Sequence, residues 1–156
     1  MADLRGLVLA AGLGMRLRPV TDHVPKPLLP VAGVTLLAGA IAALLAAGAS
    51  TVAVNAHHRA HLVAAHLREH REAARLRPSL EPRILGTGGA LAGAREHLRG
   101  ADRIVVYNGD VLCDLAVADL VAAHRAGGAP VTLALCDWPA VNSVRWRADG
   151  RVADLA

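Results

Sequence analysis

Apolar runs that do not alternate with polar residues recur along this chain, and segments with helical patterning separate them. Three of these runs predict strands with both faces buried: Gly6–Ala11 (GLVLAA), Thr51–Ala56 (TVAVNA) and Arg103–Asn108 (RIVVYN). Shorter strands are predicted at Arg83–Leu85 and Pro130–Leu135. Unalternating strands of this kind are typical of a parallel sheet that is covered on both sides.

Four segments between these strands predict helices. Thr35–Gly48 is the clearest, because Thr35 can accept a hydrogen bond from the first turn and Gly48 favours the end of a helix. The others are a polar-faced helix from Arg59 to about Arg77, ended by Pro78 and Pro82, and helices over Gly88–Leu98 and Ala116–Ala126.

This alternation predicts an α/β fold, a Rossmann-like three-layer α/β/α sandwich around a mostly parallel sheet. Ligands of such sheets bind beyond the carboxyl ends of the strands. We therefore expect the functional residues in the loops that follow Ala11, Asn55, Leu85 and Asn108.

The segment Val141–Ala156 predicts a hairpin that turns at Asp149-Gly150. Its second strand runs into the last residue, so we expect one domain over residues 1–156 that is shortened at the C-terminus.

Composition narrows the classes of function. The chain is 54% hydrophobic but has no Phe, two Trp and one Tyr, so few aromatic rings could stack on bases despite a net charge of +4. No run of about 18 apolar residues could span a membrane, and the early Asp3 disfavours a signal peptide. Cys113 and Cys136 lack metal-ligand spacing and predict free, buried thiols. We expect a cytoplasmic protein that binds neither nucleic acid nor membrane; whether it is a homo-oligomer stays open.

The loop Leu9–Pro27, after the first predicted strand, combines glycines with positive charge. Gly12 and Gly14 leave successive backbone N–H groups free to converge on an anion. Arg16 adds a planar guanidinium that suits phosphate oxygens. The loop therefore predicts a phosphate-binding site.

Two well-known phosphate-binding loops do not fit. A dinucleotide fingerprint needs a third glycine where Leu17 stands, and an acid at the end of the second strand where Asn55 stands. A Walker loop needs Gly-Lys-Ser/Thr, whereas Lys26 follows Pro25.

The segment Leu9–Val31 (LAAGLGMRLRPVTDHVPKPLLPV) resembles the signature of the sugar-1-phosphate nucleotidylyltransferases, or NDP-sugar pyrophosphorylases. It matches every specified position of L-A-A-G-x-G-x-R-L-x-P-x-T-x-x-x-P-K-P-L-x-P-V. Glu81–Leu91 (EPRILGTGGAL) resembles the family's nucleobase loop, and Tyr107–Leu112 (YNGDVL) resembles its magnesium-binding strand end. The resemblance implies the nucleotide-diphospho-sugar transferase fold and, most closely, the mannose-1-phosphate guanylyltransferases or N-acetylmuramate-1-phosphate uridylyltransferases.

The resemblance also implies a reaction between two anions, in which a sugar 1-phosphate attacks the α-phosphorus of a nucleoside triphosphate and pyrophosphate leaves. Such a reaction needs cations and alignment more than a protein nucleophile. By resemblance, Arg16 and Lys26 are catalytic and Asp110 binds Mg²⁺, a hard cation that suits carboxylate and phosphate oxygens. The implied nucleotide-binding residues are Leu9, Ala10, Ala11, Gly12, Gly14, Met15, Arg16, Lys26, Glu81, Gly86, Thr87, Gly88, Asn108 and Gly109.

Lys26 is the only lysine among seventeen Lys and Arg residues. Pro25 and Pro27 each fix their own φ at about −65° on either side of Lys26, so we expect it on a stiff extended segment. A compact ammonium fits between two phosphates where a broad guanidinium does not.

Glu81 bears on the choice of base. An ionised carboxylate only accepts hydrogen bonds, and guanine offers the adjacent donors N1–H and N2–H, which favours GTP. A uridylyltransferase acting on N-acetylmuramate 1-phosphate or another hexose 1-phosphate stays open, as does a non-catalytic nucleotide-binding domain. No residue of this chain matches the family's second metal-binding aspartate, and Asn142-Ser143-Val144 departs from its usual sugar-contacting segment.

Overall fold

The computed structural model describes residues 2–140 and 142–155. Val141 and Ala156, the ends of the predicted hairpin segment, lie outside the described residues, as does Met1. The strands are β1 (Leu4–Leu9), β2 (Pro30–Val31), β3 (Val34–Thr35), β4 (Thr51–Ala56), β5 (Leu76–Leu80), β6 (Arg103–Asn108), β7 (Val144–Trp146) and β8 (Val152–Leu155). The helices are α1 (Leu36–Ala46), α2 (Ala60–Glu69), α3 (Gly86–Gly93), α4 (Arg95–Leu98) and α5 (Val117–Gly127).

The main sheet within the described ranges has the order β5-β4-β1-β6, and all of its neighbouring strands are parallel. Leu9, near the end of β1, is in register with Asn55 of β4 on one side and with Asn108 of β6 on the other. The carboxyl ends of three strands therefore meet at one edge, as the apolar runs predict.

Helices cover both faces of this sheet, which confirms the three-layer α/β/α sandwich. On one face, Val8, Val52 and Val54 pack with Ile41 of α1 and Val121 of α5. The opposite face has a smaller core made of Leu7, Ala53, Ala90, Ala94 and Leu98, under α3 and α4. Successive residues of β1 and β4 thus point to opposite cores, since side chains alternate along a strand.

The prediction of a helix from Arg59 to about Arg77 is wrong in its second half. Helix α2 ends at Glu69, and Leu76–Leu80 pairs with β4 as the edge strand β5. Pro78 lies inside β5, where a missing N–H is tolerated because only one side of an edge strand is paired. The strand predicted at Arg83–Leu85 does not form, because β5 already occupies that edge of the sheet.

Two other predictions also need correction. The helix predicted over Gly88–Leu98 begins at Gly86 and is interrupted at Ala94, which gives α3 and α4. Pro130–Leu135 pairs with no strand of the described chain, and its apolar side chains are exposed. Apolar patterning marks a segment that can form a strand, but a strand also needs a partner that lies elsewhere in the chain.

Other local predictions are confirmed. The side chain of Thr35 accepts a hydrogen bond from the N–H of Ala38 at 3.1 Å and so caps α1. β7 and β8 form the antiparallel hairpin, with Gly150 at a φ of +79° in the turn. Cys113 and Cys136 are free but exposed rather than buried. Within the described ranges, no helix combines the length and apolar character needed to cross a bilayer.

Candidate active site

A cavity of about 950 Å³ opens at the carboxyl edge of the sheet, where β1, β4 and β6 end. Its walls include every residue predicted from the sequence for this site except Gly88 and Gly109. Segments far apart in the sequence thus meet in one place, because the parallel register aligns the ends of their strands.

The loop after β1 forms the floor of this cavity in a conformation that Gly14 makes accessible. Gly14 has a φ of +65°, and a Cβ there would lie 2.9 Å from Cγ2 of Thr21. The hydroxyl of Thr21 donates a hydrogen bond to the carbonyl of Gly14 at 2.9 Å and so holds the loop closed. A residue other than glycine would meet both backbone strain and a steric clash.

The loop presents unpaired donors. Within the described residues, the backbone N–H groups from Ala11 to Gly14 have no hydrogen-bond acceptor. Ala10 differs from the expectation, because its N–H donates to Oδ1 of Asn55 at 2.6 Å. A buried N–H requires a partner, so Ala10 is engaged within the protein while the following residues can meet an anion. The exposed side chain of Arg16 lines the same floor.

Lys26 also lines the cavity. It begins a 3-10 turn, Lys26–Leu28, while Pro25 before it is extended, so the predicted stiff extended segment stops at Pro25. The Lys26 Nζ lies 2.6 Å from Oδ2 of Asp110, and the two side chains are 25% and 43% exposed. The predicted phosphate ligand and the predicted metal ligand therefore form an ion pair.

Gly109 fixes the position of Asp110 relative to the floor. Its N–H donates to the carbonyl of Leu9 at 2.9 Å, and a Cβ on Gly109 would lie 2.8 Å from that same oxygen. Only glycine lets the turn after β6 approach the end of β1 this closely. Gly109 therefore shapes the site from behind without lining the cavity.

The donor set around Asp110 suits a magnesium ion that is shared with phosphate. The described residues contain no group of three or more His, Cys, Asp or Glu side chains that could hold a metal ion. Mg²⁺ typically uses one or two carboxylates together with substrate phosphates and water, so a single aspartate beside the phosphate loop fits this ion. The magnesium site stays a prediction.

The far wall carries the residues predicted to read the base. Glu81 is 6% exposed, and its two carboxylate oxygens accept from Nδ2 of Asn55 at 2.8 Å and from the N–H of Leu85 at 3.2 Å. Gly86, with a φ of +69°, and Thr87 also line this wall. Gly88 lies in the first turn of α3 but does not line the cavity.

Sequence reasoning missed several residues of the cavity. Leu13, Leu17, Pro27 and Ile84 add apolar surface, and Asn55 adds a buried amide. Asn55 stands where a dinucleotide-binding protein has an acid, and its own contacts are not predicted from the sequence. A polar residue at the end of an otherwise apolar strand was the available signal, since buried polar groups need partners.

Tyr107 lies on β6 directly before Asn108 of the cavity. Burial, together with a hydrogen bond between the hydroxyl of Tyr107 and Sγ of Cys113, raises the pKa of Tyr107 to about 12. Tyr107 packs against the core under α1 rather than lining the cavity, so its neutral phenol belongs to the packing of β6.

Comparison with known proteins decides the family. The family model described as "Nucleotidyl transferase" matches residues 5–144. The chain belongs to this nucleotidyl transferase family. A mannose-1-phosphate guanylyltransferase from Mycobacterium tuberculosis is 36% identical over 130 residues, covering 83% of this chain and 36% of that protein. The catalytic subunit beta of mannose-1-phosphate guanylyltransferase from Dictyostelium discoideum is 34% identical over 132 residues, covering 83% of this chain and 37% of that protein.

A solved structure supports the fold assignment as well. HddC from Yersinia pseudotuberculosis, in complex with GMP-PN, superposes with a TM-score of 0.65 at 26% identity, covering 77% of this chain and 53% of that one. This nucleotidyl transferase chain spans a little over a third of the length of the curated relatives it matches.

Proposed function

We propose that this nucleotidyl transferase chain carries the nucleotide-binding part of an enzyme that joins GTP and a sugar 1-phosphate, resembling mannose 1-phosphate, into a nucleoside diphosphate sugar. The observation that carries the proposal is that one cavity contains the free N–H groups of Ala11–Gly14, the ammonium of Lys26 and the carboxylate of Asp110. Relatives named mannose-1-phosphate guanylyltransferases support this choice of substrates.

The reaction moves one nucleotidyl group between two phosphates. An oxygen of the sugar phosphate forms a new bond to the α-phosphorus, while the bond from that phosphorus to the β-phosphate oxygen breaks and pyrophosphate leaves with the electron pair. Both reactants are anions, so the barrier is dominated by charge repulsion and alignment. The protein's task is to hold the two phosphates in line and to neutralise them.

In this mechanism the loop N–H groups and the guanidinium of Arg16 hold the triphosphate at the floor of the cavity. Lys26 leaves Asp110 and places its ammonium between the α-phosphate and the incoming phosphate, where it stabilises the charge that develops in transfer. The backbone that carries both cations is constrained, since Gly14 sets the loop and Pro25 precedes the lysine turn.

Asp110 would hold Mg²⁺ as the protein ligand of an ion that is otherwise coordinated by phosphate oxygens and water. The ion, when bound, would neutralise the phosphate charge and polarise the phosphoryl oxygens. Loss of the ion would leave Asp110 to repel the triphosphate, so the carboxylate and the metal are expected to act together.

Guanine is the proposed base because Glu81, an acceptor at both oxygens, faces the cavity. Uracil offers only one donor, N3–H. If it were the base, one oxygen of the Glu81 carboxylate would have no donor from the ligand. A cytoplasmic location is part of the proposal and is supported by the two free cysteines.

The test is pyrophosphate release by this chain, with Mg²⁺, from a panel of triphosphates and sugar 1-phosphates. Release with GTP and mannose 1-phosphate supports the proposal, and release only with UTP supports the uridylyl alternative. GTP binding without release from any pair supports the non-catalytic alternative.

A further inference from the structure

We infer that Asn55 is a positioning residue that joins the phosphate-binding loop to the nucleobase wall and holds Glu81 as a hydrogen-bond acceptor. This inference rests on the proposed function, since it assigns to Asn55 a part in selecting guanine. Asn55 is distinct from the residues that meet the phosphates, and it acts through Ala10 and Glu81.

The position of Asn55 in the sheet makes such a bridge possible. β4 lies between β1 and β5, and Asn55 is in register with Leu9 on one side and with Ser79 on the other. Ala10 directly follows β1 and Glu81 directly follows β5. One side chain near the end of the middle strand therefore reaches both loops.

The hydrogen bonds fix the orientation of the amide. The N–H of Ala10 can only donate, so the atom that it meets at 2.6 Å must be Oδ1 of Asn55. The amide nitrogen then faces Oε1 of Glu81 at 2.8 Å and must donate to it. Asn55 is 4% exposed, so these two partners take the place of water at both ends of the amide.

The contacts of Glu81 follow from this orientation. Oε1 accepts from Asn55, and Oε2 accepts from the N–H of Leu85 at 3.2 Å, so both oxygens act as acceptors within the protein. The backbone of Glu81 is held too, since its N–H donates to the carbonyl of Ala56 at 2.8 Å and its carbonyl lies 2.9 Å from Nδ1 of His57. Each carboxylate oxygen keeps a lone pair for a ligand, which suits the two adjacent donors of guanine.

An apolar side chain at this position would leave the buried N–H of Ala10 without an acceptor and Oε1 of Glu81 without a donor, so both contacts require the amide. Ala10 lies on the floor of the cavity, where the triphosphate is proposed to bind, and Glu81 lies on the far wall, where the base is proposed to bind. Asn55 therefore sets the distance and orientation between the two halves of one ligand site.

The variant Asn55→Asp separates these two contacts. A carboxylate still accepts from Ala10, but its other oxygen faces Glu81, and like charges at this distance raise the pKa of the pair. A shared proton preserves the bridge at low pH, and repulsion opens it as the pH rises. The matched control is Ser79→Ala, a buried polar position in register with Asn55 on β5 but outside the bridge.

The experiment measures the affinities of both variants and the wild type for GTP and for ITP, whose base lacks the N2 donor. Each affinity is measured from low pH, where the shared proton is bound, to higher pH, where it is lost. We expect Asn55→Asp to lose its preference for GTP over ITP as the pH rises, with wild type and Ser79→Ala unchanged. An equal loss of affinity for both nucleotides, or no pH dependence, overturns the positioning role.

A second measurement tests the bridge itself without any bound nucleotide. In the ligand-free protein, amide hydrogen exchange at Ala10 and Leu85 should speed up together in Asn55→Ala but not in Ser79→Ala. Unchanged exchange at both amides overturns the bridge itself. A third outcome is faster exchange in Asn55→Ala together with a wild type that binds no nucleotide. This outcome overturns the proposed function and the role of Asn55 in it, but it keeps the bridge as a structural link.

Discussion

The Lys26 Nζ lies 2.6 Å from Oδ2 of Asp110, so the cation proposed for the phosphates and the carboxylate proposed for the metal neutralise each other in the ligand-free protein. In the proposed mechanism, each leaves the other when Mg²⁺ and the triphosphate bind. The pair is partly exposed, and such pairs contribute only about 1 kcal/mol or less, so this separation costs little. The pair keeps both side chains aimed into the cavity until the substrates arrive.

The first prediction concerns the shape of the cation at residue 26. Lys26→Arg keeps the charge but replaces a compact ammonium by a broad guanidinium, which we expect to lower kcat by about 10²-fold or more through misplacement of the phosphates. Pyrophosphate release at saturating GTP measures this. Arg71→Lys, at an exposed position outside the cavity, is the control and should keep full turnover. Unchanged turnover of Lys26→Arg would remove Lys26 from the mechanism.

The second prediction separates the two roles of Asp110. Asp110→Asn frees Lys26 and removes a negative charge, so GTP should bind without Mg²⁺ up to about fivefold more tightly than in wild type, as expected for an ion pair of about 1 kcal/mol. The same variant should lose the dependence of GTP affinity on Mg²⁺. Titration calorimetry with and without the metal measures both effects.

Asp114→Asn is the control for Asp110, because Asp114 is exposed and does not line the cavity. It should bind GTP as wild type does under both conditions. If the magnesium dependence of Asp110→Asn equals that of wild type, Asp110 is not a metal ligand.

The third prediction compares two glycines of the phosphate loop. Gly14→Ala puts a side chain at a φ of +65° and 2.9 Å from Cγ2 of Thr21, which should lower the free energy of unfolding by about 1–2 kcal/mol from backbone strain alone. Gly12→Ala meets no atom within 4 Å and no such strain, so its stability should stay close to that of wild type. Urea denaturation measures both. Equal stabilities would mean that the loop does not hold Gly14 in this conformation.

The fourth prediction tests the acceptor state of Glu81. In Glu81→Gln, one carboxylate oxygen is replaced by an NH₂ group, which must face either Nδ2 of Asn55 or the N–H of Leu85. Both of these groups are donors, so a donor would face a donor and one buried hydrogen bond is lost. We expect a loss of about 1–3 kcal/mol in the free energy of unfolding. Glu69→Gln, at an exposed position on α2, should leave stability unchanged. A variant as stable as wild type would show that Glu81 is protonated, or that its partners differ.

The sequence predicts those parts of the fold that depend on residues close together in the chain. β4 and β6 begin and end where their apolar runs do, and Thr35 caps α1 as its position before the helix indicates. The strand around Pro78 was missed, because only the pairing with β4 makes that proline an edge residue. Pro130–Leu135 shows the converse, an apolar run without a partner among the described strands.

The same distinction holds for the site. The phosphate loop could be predicted because its glycines and basic residues are contiguous in the sequence. The contacts of Asn55 with Ala10 and Glu81 span 45 and 26 residues, so only the register of the sheet reveals them. The pairing of Lys26 with Asp110, which spans 84 residues, could not be predicted for the same reason.

The most direct test of the account follows the α-phosphate of GTP. The chain is incubated with Mg²⁺, mannose 1-phosphate and GTP that carries a labelled α-phosphate, and the products are separated. Guanylyl transfer predicts that the label moves into a nucleoside diphosphate sugar while unlabelled pyrophosphate is released, and that Lys26→Arg slows both by about 10²-fold or more. Label that stays in GTP, or that appears only in GMP, would contradict the account.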